Sequence, residues 1–252
     1  MKFCDEQQLL NHAKKLEGMK FSEISKLIQM LDLKDRKHTK GIAAKVIETD
    51  YFGIPSNSSE KPDFENLGIE LKVSPLRYLE KAGLYTTKER NVLKMVDYHE
   101  INSISDWKNT KVYNKLKRIL FVLYVHDKNK PAEDWVVVKA FLWSPGVNHD
   151  TMIQSDYEIM RKKVSGAENL REGDHEFFAS CPKHAGGYLK NDPLNSPRTA
   201  LAEHPTMIMA EKRGYCIKRE AFIRLIADGI GAILVKKGRT IGITGEHLKL
   251  GN

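Results

Sequence analysis

The sequence predicts an α/β (α+β) fold: a mixed central sheet flanked by helices, with a helical part at its N-terminal end. Three patterns predict it. Apolar residues recur at helical spacing through the first fifty positions. Two long β-rich runs, Ile119–Val125 and Trp135–Trp143, are separated by the turn residues Asp127-Lys-Asn-Lys-Pro131. Between these regions, Leu67–Val73 alternates apolar and charged side chains.

Taken in order, Asp5 is placed to cap a helix with Gln8 reaching back to it, and Leu9, Leu10, Ala13 and Leu16 form the apolar stripe until Gly18 stops it. A second helix fits Ser22 to Leu31, with Ile24, Leu27, Ile28 and Leu31 on one face. A charged stretch, Lys34 to Lys40, leads through Gly41 into a third helix, Ile42 to Tyr51, which turns Ala43, Val46 and Ile47 inward and carries Glu48. Residues 53 to 62, rich in Gly, Pro, Ser and Asn, read as a loop. In the strand that follows, Ile69, Leu71 and Val73 point one way and Glu70 and Lys72 the other. After Pro145 a helix fits 150 to 164, and a short strand from His175 to Ser180 precedes Cys181-Pro182. Gly186 to Thr206 reads as a long loop. Helical spacing returns at Ile217 to Ile226, then come Ala232 to Val235 and a Gly-rich end. Trp107, Trp135 and Trp143 read as core aromatics.

At 252 residues the chain can bury a real core as one large domain. Its 41 Lys and Arg against 33 Asp and Glu give a formal charge of +8, which suits a polyanionic partner and is also what an ordinary basic protein shows. No apolar run reaches the roughly eighteen residues of a membrane span. The opening MKFCDEQQLL has no basic-then-apolar signal, so the expected location is cytoplasmic, with no membrane partner. Cys4, Cys181 and Cys216, an odd set without CxxC spacing, make neither a disulfide framework nor a zinc site. Nine histidines without HxxxH or HxH spacing argue against a histidine metal centre.

The chemistry-bearing pattern is Pro62-Asp63, six residues, then Glu70-Leu71-Lys72. Hydrolysis of a phosphodiester needs a metal held by carboxylates, an activated water, and positive charge where the oxyanion develops. Asp63 at a turn and Glu70 on the next strand can converge on one Mg²⁺, a hard ion that prefers oxygen. Lys72 can orient or help deprotonate the water and offsets the repulsion of the two acids. A bare ExK is most often an ordinary exposed strand edge. The Pro-Asp ahead of it and the helix-borne Glu48 lift this one above that reading. KVYNKLKR, Lys111 to Arg118, gathers Lys115, Lys117 and Arg118 just before a buried strand, and Lys88-Glu89-Arg90 is a smaller cluster. Both suit phosphate contacts, the alternative being a solvated face.

In order and spacing, these residues and several others resemble the MutH family, which joins a mismatch-repair nicking endonuclease to type II restriction endonucleases cutting at GATC. The resemblance is carried by Asp5-Glu-Gln-Gln-Leu-Leu10, Thr39-Lys-Gly41 leading to Glu48, and Lys61-Pro-Asp-Phe64 with Leu67-Gly-Ile-Glu-Leu-Lys72. Lys115-Leu-Lys-Arg118, Leu142-Trp-Ser-Pro145 and Pro182-Lys183 continue it. It implies a restriction-endonuclease-like PD…(D/E)xK fold and Mg²⁺-dependent hydrolysis of double-stranded DNA, with Mn²⁺ able to substitute. Glu48, Asp63 and Glu70 resemble the metal site, Lys72 the catalytic lysine, and Lys115 a second lysine near the scissile phosphate. Lys40 and Lys183 match positions that approach DNA, and Cys181-Pro182-Lys183-His184 lies where a family loop reads the bases. Lys88, Arg90, Lys117 and Arg118 complete the expected DNA-binding set. Tyr215 follows Gly214 in a stretch resembling one that approaches the methylation site.

On this resemblance the chain is expected to be a single MutH-like domain over 1–252, with 1–52 a helical lobe forming one wall of the DNA cleft and 53–252 the catalytic and DNA-reading part. Residues 83 to 98, with a Tyr, Lys-Glu-Arg and a following apolar helix, resemble the restriction branch more closely. The expected function is therefore a type II restriction endonuclease at GATC, acting as a possible homodimer on a palindrome. The alternatives are a repair enzyme nicking hemimethylated GATC with mismatch-repair proteins, and a DNA-binding module of this fold without catalysis. Where the repair branch has an Arg before the Pro-Lys of its reading loop, this chain has Cys181, which cannot grip guanine in bidentate fashion.

Overall fold

The computed structural model describes residues 2–25, 41–55, 59–188 and 197–251, with the side chains of 44, 184–188 and 197–199 outside that description. Most of the helix expected at Ser22 to Leu31, and Lys40, lie outside the described residues. Contacts divide the chain into two compact units, one of residues 1–89, 117–144 and 222–252, the other of residues 90–116 and 145–221.

The first unit is built on the expected mixed sheet, six strands in the order β12-β13-β2-β1-β4-β5. Strand β1 (Glu70–Leu79) lies parallel to β4 (Ile119–Val125) and antiparallel to β2 (Leu84–Thr87), while β5 (Val136–Trp143) returns antiparallel beside β4. Strands β12 (Leu234–Lys237) and β13 (Thr240–Ile243) form the far edge. Every residue of β4 but the last is buried, as its unbroken apolar run requires of a central strand. Helix α1 (Glu6–Lys14) starts as expected: Asp5 accepts from the Gln8 N–H at 2.7 Å, and Gln8 Oε1 accepts from the Cys4 N–H at 2.6 Å. A short α2 (Phe21–Ile24) follows. On the other side of β4, Phe222 of helix α7 (Arg219–Ile230) meets Phe121 with ring centroids 5.1 Å apart. Gly229 lets that helix ride directly on Phe141, because a Cβ there would lie 2.4 Å from the ring.

The third expected helix is different in kind. Three α-helical residues, α3 (Ile42–Ala44), pass into a π-helix over Lys45–Tyr51, which ends with Phe52 N–H bonded to the Ile47 carbonyl, five residues back, at 3.1 Å. The wider turn admits one extra residue, so Val46 and Ile47 remain buried while Tyr51 and Phe52 also reach the aromatic cluster. Helical periodicity in the sequence does not distinguish the two.

The second unit holds α4 (Tyr98–Ser103), α5 (Lys111–Leu116), the long α6 (Val147–Ser165) and a three-stranded antiparallel sheet. In that sheet β11 (Arg213–Ile217) lies between β3 (Asn91–Met95) and β6 (Phe178–Pro182). Three expectations are corrected here. The apolar helix expected after Lys88-Glu-Arg90 is strand β3, whose partner β11 lies far along the chain, so no local pattern announces it. The loop expected over 186–206 contains β7 (His184–Tyr188), β8 (Pro197–Thr199) and β9 (Leu201–Ala202), β9 pairing with β10 (Ala210–Glu211). Cys181, expected in a loop, is a buried residue of β6.

Candidate active site

Asp63 sits in a turn closed by Gly68, whose φ of +68° is open to glycine at little cost, and by the Phe64 N–H bonded to the Ile69 carbonyl at 2.9 Å. That turn folds Asp63 back along the start of β1, where its Oδ2 accepts from the Leu71 N–H at 2.9 Å. Glu70 opens β1, only 3% exposed, its N–H bonded to the Arg118 carbonyl of the neighbouring segment at 3.0 Å. Two residues on and on the same face, Lys72 places Nζ 2.8 Å from Glu70 Oε1. Glu48 joins this group from the π-helix. Its carboxyl is held above the usual range, first by burial, then by the negative charges of Asp63 and Glu70, with Lys72 pulling the other way.

The elements carrying these acids are locked together by rings. Phe52 follows the π-helix and Phe64 follows Asp63; their centroids are 5.5 Å apart at 73°, and Phe3 closes on Phe64 at 5.7 Å and 78°. Such edge-to-face contacts fix where Glu48 stands relative to Asp63. A pocket lined in part by Phe52, Ile54, Ser59, Lys61 and Asp63 opens beside the turn. Lys117 runs past the same turn, its Cε 3.8 Å from where a Cβ on Gly68 would stand.

Three carboxylates opposed by one lysine carry an excess of negative charge and an all-oxygen donor set, which fits a hard divalent cation. Among the described residues, however, no three His, Cys, Asp or Glu side chains already stand at metal-ligating spacing. Glu48, Asp63 and Glu70 are thus an electrostatically coupled group and not a closed cage, with Asp63 Oδ2 and Glu70 Oε1 among the oxygens engaged by protein.

The other expected site residues fare differently. Lys115 is a buried residue of α5, in the second unit. Arg118, expected on DNA, is forked onto the Glu6 carboxylate, with Nη1 3.3 Å from Ser144 Oγ. Arg90 is paired with Glu172, and Lys88 has Glu89 at 3.8 Å. Pro182 is exposed at the end of β6, and the Lys183 N–H donates to the Lys212 carbonyl at 2.9 Å. His184 is described only as backbone of β7. Tyr215 is wholly buried and stacked on Phe178 with centroids 5.1 Å apart, so its ring does not face solvent.

Two residues that no sequence pattern singled out support this second region. Asp156 of α6, 3% exposed, accepts three backbone N–H groups, from Glu176, Phe177 and Phe178, at 2.9, 2.8 and 2.7 Å, and so pins the start of β6. Gly214 faces Cys181 across the β6–β11 ladder and leaves the space that the Lys183 side chain crosses, Cε standing 2.9 Å from where a Cβ would be.

A mixed sheet that starts a central strand with an acid and a lysine, with a second acid turned back onto it, defines a restriction-endonuclease-like nuclease fold. The family model described as "DNA mismatch repair enzyme MutH" matches residues 52–156. The DNA mismatch repair protein MutH of Citrobacter koseri is 30% identical over 226 residues, covering 89% of this chain and 92% of that protein. That of Pasteurella multocida is 29% identical over 160 residues, 64% of this chain and 69% of that protein. The type II restriction enzyme Sau3AI of Staphylococcus aureus is 27% identical over 221 residues, which is 86% of this chain and only 41% of that enzyme's length. The chain belongs to the MutH family and is a nuclease of that kind. Among its described residues no helix is long and apolar enough to cross a membrane.

Proposed function

We propose that this nuclease is a type II restriction endonuclease that hydrolyses double-stranded DNA at GATC with Mg²⁺, or Mn²⁺ in its place. The observation that carries the reading is the coupled group Glu48, Asp63, Glu70 and Lys72 at the start of a central strand. Glu48, Asp63 and Glu70 would hold the metal, which when bound makes a coordinated water more acidic and stabilises charge developing on the phosphate. The protein's own part is positional. The Leu71 N–H fixes one oxygen of Asp63, and the buried aromatic cluster fixes Glu48. Lys72, held by Glu70, orients the attacking water and presents positive charge to the scissile phosphate. Lys115 and Lys117 supply further positive charge along the backbone, with Lys40 and Lys88 as weaker phosphate contacts. In the second unit Pro182, Lys183 and His184 form the base-reading segment, which the buried Cys181 anchors to β6. The ion pairs of Arg90 and Arg118 give these two a structural role first, and a DNA contact would have to displace Glu172 or Glu6.

A two-fold GATC site is matched by two copies of the chain, so cleavage of both strands by a homodimer in the cytoplasm is part of the proposal. The repair reading has one observation of its own: the chain spans nearly the full length of the Citrobacter koseri MutH protein but under half of Sau3AI. Digestion of plasmids carrying unmethylated, hemimethylated or fully methylated GATC, with Mg²⁺ and no other protein, separates the two. Double-strand ends mapped to unmethylated GATC support the restriction enzyme. Single nicks confined to hemimethylated plasmid, stimulated by mismatch-repair proteins, would replace it with the repair enzyme.

A further inference from the structure

Cys181 and Cys216 are both free and buried, and they pack on one another in a small cluster with Ala179 and Val92. The ladder explains the encounter. Cys181 is opposite Gly214 and Cys216 opposite Ala179, so the two thiols are diagonal neighbours on one face of β6 and β11. Gly214, without a side chain, adds no Cβ beside them on that face. The neighbouring Cys216 thiol, with Lys183 and Arg90 nearby, favours the thiolate of Cys181 against the cost of its burial, whereas the Cys216 thiol is held well above its ordinary range by Cys181 and by burial. A sulfur biased towards the thiolate, packed in one cluster with a protonated sulfur, is the pairing of an attacking and a resolving thiol.

We propose that Cys181 and Cys216 form a reversible cross-strand disulfide, a redox modification site directly beneath Lys183. A small-molecule disulfide is the oxidant. Local opening of the edge strand β6 admits it to Cys181, whose thiolate attacks one of the oxidant's sulfurs, releasing one small thiol and leaving a mixed disulfide. Cys216 then gives up its proton to solvent and its sulfur attacks that of Cys181, releasing the second small thiol. Two protein thiols and one small disulfide thus become one protein disulfide and two small thiols, two electrons passing to the small molecule. Diagonal Cα atoms stand roughly 7–8 Å apart, beyond the usual disulfide span of about 7 Å or less. Closing the bond therefore draws β6 and β11 together where Lys183 crosses Gly214. The consequence for DNA recognition rests on the proposed reading role of Lys183; the bond itself does not.

The experiment equilibrates the full chain in glutathione buffers from reduced to oxidised, alkylates the remaining thiols, and maps the peptides by mass spectrometry. We expect two of the three thiols to be lost together, with peptides containing Cys181 and Cys216 joined and exposed Cys4 outside the link. In Cys216→Ser the reaction should stop at a glutathione adduct on Cys181. Free Cys181 and Cys216 throughout, or a link through Cys4, would overturn the proposal. Cleavage at the specific site should fall severalfold on oxidation and return with dithiothreitol. A reduced wild-type protein that cut nothing would defeat the nuclease reading and leave the peptide link intact as its own result.

Discussion

Glu70 and Asp156 are two carboxylates of equal exposure, 3% each, one in each unit, and they are employed in opposite ways. Asp156 is saturated by three backbone N–H groups, which cannot leave without unravelling the start of β6. Glu70 is matched by a lysine and stands within the field of two further acids, Asp63 and Glu48. A buried carboxylate saturated by amides does structural work, because its charge is already fully solvated by the protein. One surrounded by other carboxylates keeps an unresolved excess of charge, which is characteristic of a site prepared for a cation. On the proposed reading, the difference separates a unit organised for chemistry from one organised to hold a base-reading strand in place.

The largest expected effect tests that division on the chemical side. Asp63→Ala, Glu70→Ala and Lys72→Ala should each lower Mg²⁺-dependent cleavage by on the order of 10²–10³-fold or more, with duplex affinity nearly unchanged in a binding assay. A variant that cuts at the normal rate removes its residue from the site. Loss of Lys72 with undiminished cleavage would also revive the reading of ExK as an ordinary strand edge.

Next in size is the scaffold of the same site. Phe52→Ala removes the ring that ties the π-helix to the Asp63 turn, and should cost about 3–5 kcal/mol in denaturant unfolding, seen as a lower midpoint at constant m. Asp156→Ala acts on the other unit, leaving three backbone donors without their acceptor. Its expected cost is about 1–3 kcal/mol or more, with binding to the specific site weakened more than binding to random duplex. Equal losses on both DNAs would show that Asp156 supports the fold without shaping recognition.

The sequence showed the first unit more clearly than the second, for a physical reason. Glu70 and Lys72 share a face because strand side chains alternate, and Asp5 and Gln8 cap a helix because helix geometry puts them three residues apart; both are local rules. Strand β3 fails such rules, since Leu93, Lys94 and Met95 also suit a helix and its partner is β11. The same non-local pairing hid the burial of Cys181 and the role of Gly214, neither of which has a meaning until β6 lies beside β11. The π-helix escaped because the aromatic cluster, and not the spacing of Val46 and Ile47, decides where the extra residue goes.

A smaller effect follows from pH. His175 is 3% exposed with neither ring nitrogen bonded among the described residues, and burial holds its pKa below the ordinary 6.5, although Asp156 and Asp174 pull it upward. The unfolded chain therefore binds a proton more readily than the folded one. This contribution to stability is whole above the unfolded value of 6.5 and is lost as pH falls from there towards the lower folded value. Unfolding midpoints measured from pH 8 to 5 should be flat at first and then decline. His175→Leu should make the decline shallower but not abolish it, because His12, His126 and His204 are shifted in the same direction. An unchanged slope would place the proton uptake elsewhere.

The smallest expected change in stability separates fold from recognition most cleanly. In Gly214→Ala the new methyl would stand 2.9 Å from Lys183 Cε and 3.3 Å from Val92 Cγ1. The first neighbour is part of a flexible side chain and can move aside; the second needs only a few tenths of an ångström. Gly214 has no positive φ to preserve, so the strand itself is not strained by the substitution. Stability should thus change by less than about 1 kcal/mol, while Lys183 is pushed off the path it takes over β11. If Lys183 reads bases, the ratio of specific to non-specific affinity should fall, as it should in Lys183→Ala. If both affinities fall together in Lys183→Ala, the lysine is a phosphate contact and the reading function must lie with its neighbours.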